Sequence, residues 1–341
     1  YLLPACLVLL TLSIDLKAVM ALGPKALIMF LTGTVGVVIG GPLALLFTAA
    51  VMPELLGVEG AGELWRGMAA LAGSWIGGGA NMVAMKEIYE ADGNIFTIMV
   101  TVDIVVANIW MACLLYMAAR HKELDAKSGA DTSSIDRLID TVTHLEKKHA
   151  RKPELQDLMI LVAFGFGVTG LAHWVADMVV PYFQANFPEL KKFSLHSKLF
   201  WIIFIVTTIG LSLSFTKARK YESVGASKVG SAFLYILVAT IGLHMDIAMI
   251  FEAPKYVLVG LVWMAIHVIL MFAMAKFIKA PVFYIAVGSK ANIGAAASAP
   301  VVASAFHPAL APVGVLLAVV GYALGTYAAW LCGQVMRMVA G

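Results

Sequence analysis

The stretch Gly73-Ser-Trp-Ile-Gly-Gly-Gly-Ala-Asn-Met-Val-Ala84 decides how this chain folds. Its neighbours are apolar, yet glycine costs about 1 kcal/mol relative to alanine inside a helix, so its triple glycine predicts a broken helix. A second stretch, Gly288-Ser-Lys-Ala-Asn-Ile-Gly-Ala-Ala-Ala-Ser-Ala299, matches it when Gly73 is aligned with Gly288. Paired glycine-rich interruptions in two halves of a membrane protein indicate a transporter binding site.

The composition is that of a membrane protein. Of 341 residues, 61% are hydrophobic and only 13% are charged, and the mean hydropathy is +0.90. Soluble domains carry about 25% charged residues. Apolar runs such as 25–51 and 96–119 exceed the roughly 20 residues that cross a bilayer. We therefore expect an all-α, polytopic helical bundle whose surroundings are lipid, and the net charge of +3 gives no reason to expect a nucleic-acid partner.

The order of apolar segments is used twice. The first half has segments at about 2–19, 25–51, 64–90 and 93–119, and the second at about 229–251, 255–277, 280–305 and 308–335. Two further segments, about 155–182 and 198–215, precede the second set. We expect repeat 1 at 1–120, a cytoplasmic amphipathic connector at 121–154 and repeat 2 at 155–341. If both repeats are complete, about two helices precede residue 1.

The distribution of charge predicts the topology. Lysine and arginine are concentrated in loops 120–152 and 217–228, which places both loops in the cytoplasm, whereas loop 52–63 carries only acids. Loops 52–63 and 120–152 can lie on opposite sides of the membrane only if segment 64–90 enters and leaves the membrane on the same side. The lengths of its two arms agree with this, because each arm is shorter than the roughly 20 residues that cross a bilayer. The same reasoning makes 280–305 re-entrant from the cytoplasm. The prediction is an inverted repeat with two facing glycine-rich hairpins.

The tips of these hairpins are the predicted substrate site. Helices that begin at the breaks present free N–H groups and a positive dipole end, which favour an anion such as a carboxylate. The candidate substrate-binding residues are Ser74, Gly78, Gly79, Asn81, Ser289, Lys290, Asn292 and Gly294. The alternative is that glycine and serine merely allow helices to pack closely.

A coupling cation is predicted beside the tips. Asp103 is an ionisable residue inside a membrane segment, which is a functional hypothesis by default. Asp103, Asn108 and Thr326, the counterpart of Asn108 in the second repeat, are the candidate oxygen ligands for Na⁺. Proton coupling through Asp103 is the competing interpretation, and a structural bond to a neighbouring helix is the third.

Enzyme motifs are missing from the sequence. It has no His-Glu-x-x-His pattern and no P-loop, and no Ser/His/Asp arrangement can be argued from spacing. We expect no catalytic residues, no transition-metal site and no cofactor except a coupling ion. A passive channel and, less favoured, an intramembrane enzyme are the alternatives to a transporter.

Three motifs resemble a known family. Tyr1-Leu-Leu-Pro-Ala5, Gly73 to Asn81 and Gly288 to Gly294 resemble the YjcL-type family of uncharacterised bacterial membrane proteins over nearly the whole chain. More distantly, the paired hairpins are similar to sodium/glutamate symporters and to the bile acid/arsenite/riboflavin transporter superfamily. That resemblance implies inverted repeats, a mobile core on a scaffold, Na⁺ coupling, homodimers and a bacterial inner-membrane location. In bile-acid-type relatives the broken helices cross the membrane, so a crossing arrangement also stays open.

Together these observations predict a cation-coupled secondary transporter of a small carboxylate-bearing solute, such as an amino acid, short peptide or organic acid. We expect an elevator-like transport core at about 64–119 and 280–337, with the other segments as scaffold and support.

Overall fold

The chain folds almost entirely into α-helices. The computed structural model describes residues 1–58, 62–135, 137–139, 153–243, 251 and 253–340. The α-helices are α1 (Leu2–Leu12), α2 (Leu16–Ala21), α3 (Pro24–Val51), α4 (Leu64–Ile88), α5 (Gly93–Ala119), α6 (His121–Ser128), α7 (Leu155–Asn186), α8 (Lys198–Ser214), α9 (Ala226–Gly242), α10 (Ala253–Phe277), α11 (Val282–Asn292), α12 (Ala295–Phe306) and α13 (Ala311–Ala340). The two-residue strands Gly57–Val58 and Gly62–Glu63 pair antiparallel. The predicted all-α class is confirmed.

Several helices are long enough to cross a bilayer. Within the described residues five helical stretches qualify by length and hydropathy: Pro24–Val51, Gly93–Ala119, Leu155–Asn186, Ala253–Phe277 and Pro308–Ala340. A bent pair, Lys198–Ser214 with Lys217–Val224, would add a sixth. The protein is therefore a multi-pass membrane protein.

The predicted segments agree with these helices except near the start. The segment predicted at 2–19 is interrupted after Leu12, and α2 begins only at Leu16. Asp15 caps α2 by accepting the backbone N–H of Ala18 at 3.0 Å and pairs with Arg219. This polar turn overrides the apolar pattern. In the second repeat, α9 ends at Gly242, and the rest of the predicted segment at 229–251 lies largely outside the described residues.

Helix α3 packs against α10 through small residues. A Cβ atom at Gly40 would lie 2.5 Å from Cδ1 of Trp263, so only glycine leaves room for the indole. Trp263 is buried and donates its Nε1–H to the carbonyl of Val37 at 2.9 Å. Its ring also lies 5.0 Å from that of Trp75 in α4. Helices α3 and α10 are thus in contact with the broken helices, although 25–51 and 255–277 were expected to lie outside the core. The division into core and scaffold stays a prediction.

The connector between the repeats lies against α11. The backbone N–H of Asp131 donates to the carbonyl of Lys279 at 3.1 Å, and the Lys25 ammonium pairs with the Asp131 carboxylate at 2.8 Å. Asp125 in α6 accepts the N–H of Val282, the first residue of α11, at 2.8 Å. The predicted amphipathic helix of the connector lies partly outside the described residues, because 136 and 140–152 are not among them.

Candidate functional site

Helix α4 folds back on itself. Gly78 in its middle has φ +75°, a conformation that glycine adopts readily. Arg66 near the start of α4 donates to the carbonyl of Tyr89 just past its end, at 2.5 Å. A Cβ at Gly73 would collide with the backbone of Asn81, so glycine lets the two arms touch. Residues 64–88 therefore form a helical hairpin, hairpin 1, whose two ends lie together as a re-entrant segment requires.

Helices α11 and α12 form the second hairpin, hairpin 2 (residues 282–306). The chain reverses at Gly294, whose φ is +102°. The rings of Phe283 and Phe306, at the two outer ends of the hairpin, lie 5.4 Å apart and meet edge to face. Both ends of hairpin 2 therefore lie together.

The two hairpins enter from opposite directions. The Tyr89 hydroxyl at the base of hairpin 1 donates to the carbonyl of Trp330 near the end of α13, at 2.5 Å. Phe306 at the base of hairpin 2 lies just before the start of α13. The tips meet in between, because a Cβ at Gly78 would lie 3.0 Å from the Cβ of Ala295. This is the facing arrangement that the sequence predicts, and it brings two broken backbones together.

Asp103 in α5 is bound to hairpin 1. One carboxylate oxygen accepts the Ser74 hydroxyl at 2.6 Å, and the other accepts the Trp75 indole N–H at 2.8 Å. Ser74 thus has a protein partner, and Asp103 is held beside the tip of hairpin 1.

Asn81 fastens hairpin 1 to α13. Its amide donates to the carbonyl of Gly77, at the end of the first arm, and to that of Tyr322 in α13, at 3.1 and 2.8 Å. Its Oδ1 accepts the hydroxyl of Thr326, one turn further along α13, at 2.7 Å. Gly77 comes directly before the break, where the end of a helical arm leaves carbonyls without helical partners, and Asn81 donates to this carbonyl.

Asn292 makes the same set of bonds between hairpin 2 and α3. Its amide donates to the carbonyls of Gly288 and Phe30, both at 2.9 Å, and its Oδ1 accepts the hydroxyl of Thr34 at 2.8 Å. We call each such set an Asn–Thr bracket. Asn81 and Asn292 are both fully buried. The sequence alignment of the repeats does not pair these two asparagines, so the brackets are alike in geometry and not in register.

Ser289 is held by two other helices, one of which is bonded in turn to a third. Trp110 in α5 donates its indole N–H to Ser289 Oγ at 2.8 Å, and His267 Nε2 in α10 lies 2.8 Å from the same atom. His267 Nδ1 lies 3.1 Å from the carbonyl of Gly33 in α3 and must donate to it, because a carbonyl only accepts. In the neutral imidazole, Nε2 then accepts the Ser289 hydroxyl. The hydrogen bonds run from α5 through hairpin 2 and α10 to α3.

Four of the predicted ligands therefore bind the protein itself. Ser74, Asn81, Ser289 and Asn292 were expected to contact substrate, but each hydrogen-bonds a neighbouring helix, and the last three are fully buried. The remaining candidates are Lys290 and the backbone of three glycines at the tips: Gly78, Gly79 and Gly294. Lys290 is only 2% exposed and donates to the carbonyl of Ala107 at 3.3 Å.

The predicted cation ligands do not come together. Asn108 is exposed and bonds only within its own helix, to the carbonyl of Ile104 at 2.7 Å. Thr326 contacts Asn81 and, at 3.2 Å, Thr207 of α8. Asp103 and Thr326 each bond hairpin 1, but at different arms, through Ser74 and Asn81. The sequence spacing of five residues puts Asn108 on a different face of α5 from Asp103, which the repeat alignment could not reveal.

Three residues of the hairpin contacts escaped the sequence pattern. Thr34, Trp110 and His267 lie in ordinary apolar segments. His267, like Asp103, is an ionisable residue inside a membrane segment, and this signal could have identified it. Thr34 lies beside Gly33, a position open to close helix contact.

Comparisons with known proteins give the family. Over 350 aligned residues the chain is 24% identical to the uncharacterized membrane protein YjcL of Bacillus subtilis (strain 168), and the alignment covers 98% of this chain and 81% of YjcL. The resemblance to YjcL-type proteins is thus confirmed. No solved structure matches the chain. The family described as "Protein of unknown function (DUF819)" matches residues 1–339, nearly the full length. The chain therefore belongs to the DUF819 family.

Proposed function

We propose that this protein is a secondary transporter of a small carboxylate-bearing solute in the bacterial inner membrane. The observation that carries the proposal is the meeting of two hairpin tips from opposite directions, at Gly78 and Ala295. Irregular backbone at membrane depth is tolerated only where it lines a cavity or is buried in protein, and helix ends there are the usual ligand sites of carriers. The solute would bind between the tips, and the core that carries them would move against the scaffold.

We propose that a cation drives the transport, with Asp103 as the coupling residue. Its carboxylate is held beside the tip of hairpin 1 by Ser74 and Trp75. Na⁺ is the favoured ion because a hard cation is bound by oxygen atoms, which Asp103 and carbonyls at the break supply. The proposal includes no other cofactor, no catalytic residue and no nucleic-acid partner. We propose that the protein functions as a homodimer in the lipid bilayer.

The first experiment identifies the solute. A thermal-shift screen of purified protein would compare amino acids, dipeptides and dicarboxylates in Na⁺ and in K⁺, because a ligand stabilises the protein by mass action. Uptake of the hit into proteoliposomes would then be measured under a Na⁺ gradient, a proton gradient or neither. Counterflow of labelled solute distinguishes a carrier from the alternative, a passive channel.

Asp103→Asn tests the coupling. We expect gradient-driven accumulation to be lost in this variant, because the carboxylate that Ser74 and Trp75 hold beside the tip is replaced by an amide. Asn108→Ala is the matched control on the same helix and should accumulate solute normally, since the Asn108 side chain bonds only its own helix. Uptake that ignores both gradients in the wild type would refute the coupling, and absence of counterflow would refute the carrier.

A further inference from the structure

Lys290 is a buried cation whose ammonium group makes few contacts with hydrogen-bond acceptors. It is only 2% exposed, and its ammonium group donates to one backbone carbonyl, that of Ala107, at a long 3.3 Å. An ammonium has three N–H donors, and burying a charge costs several kcal/mol unless it is paired. Asp103 lies one helical turn from Ala107 on α5 and attracts Lys290 electrostatically, but among the described residues no hydrogen bond joins the two groups. Lys290 therefore has N–H donors left for an acceptor from outside the protein.

Ser298 is a second group without a partner at the same place. Its Oγ is fully buried, and it has no hydrogen-bond partner among the described residues. A Cβ at Gly294 would collide with Ser298 Oγ and would lie 3.2 Å from Lys290 Nζ. The hydroxyl and the ammonium therefore both lie beside the α-carbon of Gly294, where the glycine leaves room for the Ser298 side chain.

The backbone adds more donors at this position. Helix α12 is 12 residues long and begins at Ala295, with Gly294 as N-cap and no side-chain cap. Its first N–H groups have no helical acceptor, and the positive end of the helix dipole lies there. Each of these groups can donate a hydrogen bond to one shared acceptor: the Lys290 ammonium, the Ser298 hydroxyl and the first N–H groups of α12.

We propose that the Gly294 turn of hairpin 2, with Lys290 and Ser298, is the site that binds the carboxylate of the solute. The proposal rests on the transport function proposed above and deepens it, because it assigns anion recognition to hairpin 2 alone. Hairpin 1 supplies none of the side chains, since Ser74 and Asn81 are bonded to Asp103 and α13. One ammonium matches one carboxylate, so the site selects a single negative group at one end of the solute.

The test is anion binding by the purified full-length chain, measured without transport. Sodium acetate and sodium chloride would be compared at equal Na⁺ concentration by thermal shift and isothermal titration calorimetry. We expect acetate to stabilise the wild type more than chloride does. Lys290→Met should raise the Kd of acetate at least about tenfold, which corresponds to about 1.4 kcal/mol.

Ser298→Ala separates ligand binding from a structural role. Because Ser298 Oγ has no partner in the protein, its removal should leave the melting temperature without anion unchanged or higher, while the shift caused by acetate falls. Ser304→Ala is the control, since Ser304 lies on the same helix and bonds only the carbonyl of Val301. This variant also keeps the test valid if Lys290→Met does not fold.

The possible outcomes separate the two proposals. Equal acetate shifts in the wild type, Ser298→Ala and Lys290→Met would overturn the site, as would equal effects of acetate and chloride. Solute uptake without acetate binding would overturn the site and leave the transporter standing. Acetate binding that depends on Lys290 and Ser298, without any counterflow of solute, would support the site and refute the carrier.

Discussion

The Asn–Thr bracket of hairpin 1 gives a quantitative prediction for Thr326→Val. Thr326 has one hydroxyl proton and donates it to Asn81 Oδ1, so it accepts at 3.2 Å from Thr207. Valine keeps the shape of the side chain and removes both bonds. Interhelical hydrogen bonds in membrane proteins contribute about 0.6 kcal/mol on average and up to about 1.7. A buried acceptor left without a partner costs about 1–3 kcal/mol. Asn81 is fully buried, so we expect a loss of about 1–2 kcal/mol.

The assay is SDS titration of the protein in mixed micelles, followed by circular dichroism. Thr326→Ser is the matched control, because it keeps the hydroxyl and loses only a methyl group, worth about 0.8 kcal/mol. A double-mutant cycle of Thr326→Val with Asn81→Ala should be strongly non-additive, since both changes remove the same bond. Thr326→Val and Thr34→Val should add to within about 0.5 kcal/mol, because the two brackets have no residue in common. The reasoning is refuted if Thr326→Val lies within about 0.5 kcal/mol of the wild type, the range of surface substitutions.

Two more predictions concern the connector and the core. The hydrogen bond from Lys25, with a smaller contribution from Ser133, lowers the pKa of Asp131 to about 2. The stabilisation by this pair is therefore present above the ordinary pKa of aspartate and is lost as pH falls toward about 2. The difference in Tm between the wild type and Lys25→Met should thus be constant from about pH 7 to 5 and shrink below about pH 4. A difference that shrinks already between pH 7 and 5 would contradict this prediction. Second, a Cβ at Gly41 in α3 would lie 3.0 Å from Sγ of Cys332 in α13, so Gly41→Cys, with the other native cysteines replaced by alanine, should form a disulfide on oxidation. If α3 and α13 move as one body with the hairpins, solute uptake should persist after oxidation. If oxidation instead stops uptake and a reductant restores it, the two helices slide past each other during transport.

Much of the fold could be predicted because it depends on local patterns. The helices at 24–51, 93–119 and 155–186 follow from uninterrupted apolar runs between polar loops. The hairpins follow from glycine and from the placement of Lys and Arg, and Gly294 turns the chain as predicted. The break in hairpin 1 lies at Gly78, whereas the alignment of the repeats pairs Gly79 with Gly294. Three consecutive glycines are nearly equivalent as helix breakers, so only the packing of the tip selects one of them.

The candidate site was less predictable because its hydrogen bonds join distant parts of the chain. Thr34 and Asn292 are 258 positions apart, and Thr326 and Asn81 are 245 apart. Periodicity reports which face of a helix is apolar, but it does not report which helix lies opposite. The pattern therefore indicated polar groups near the breaks at Asn81 and Asn292, but not the distant helices that each of them bonds. Asp103 was placed correctly beside a hairpin because a carboxylate in an apolar segment must find donors somewhere.

The uses of the polar residues follow from the membrane environment. A helix that breaks inside a bilayer leaves carbonyl and N–H groups that water cannot reach, and each such group costs several kcal/mol if it stays unpaired. Polar side chains near a break are therefore used first for the protein's own backbone, as Asn81 is for the carbonyl of Gly77. Only groups left over after this requirement is met can recognise a solute. In hairpin 2 the groups left over are the remaining N–H donors of Lys290, the Ser298 hydroxyl and the first N–H groups of α12, and each of them can donate a hydrogen bond. A group of converging donors is best satisfied by an anionic acceptor, and this is the physical reason to look for a carboxylate there.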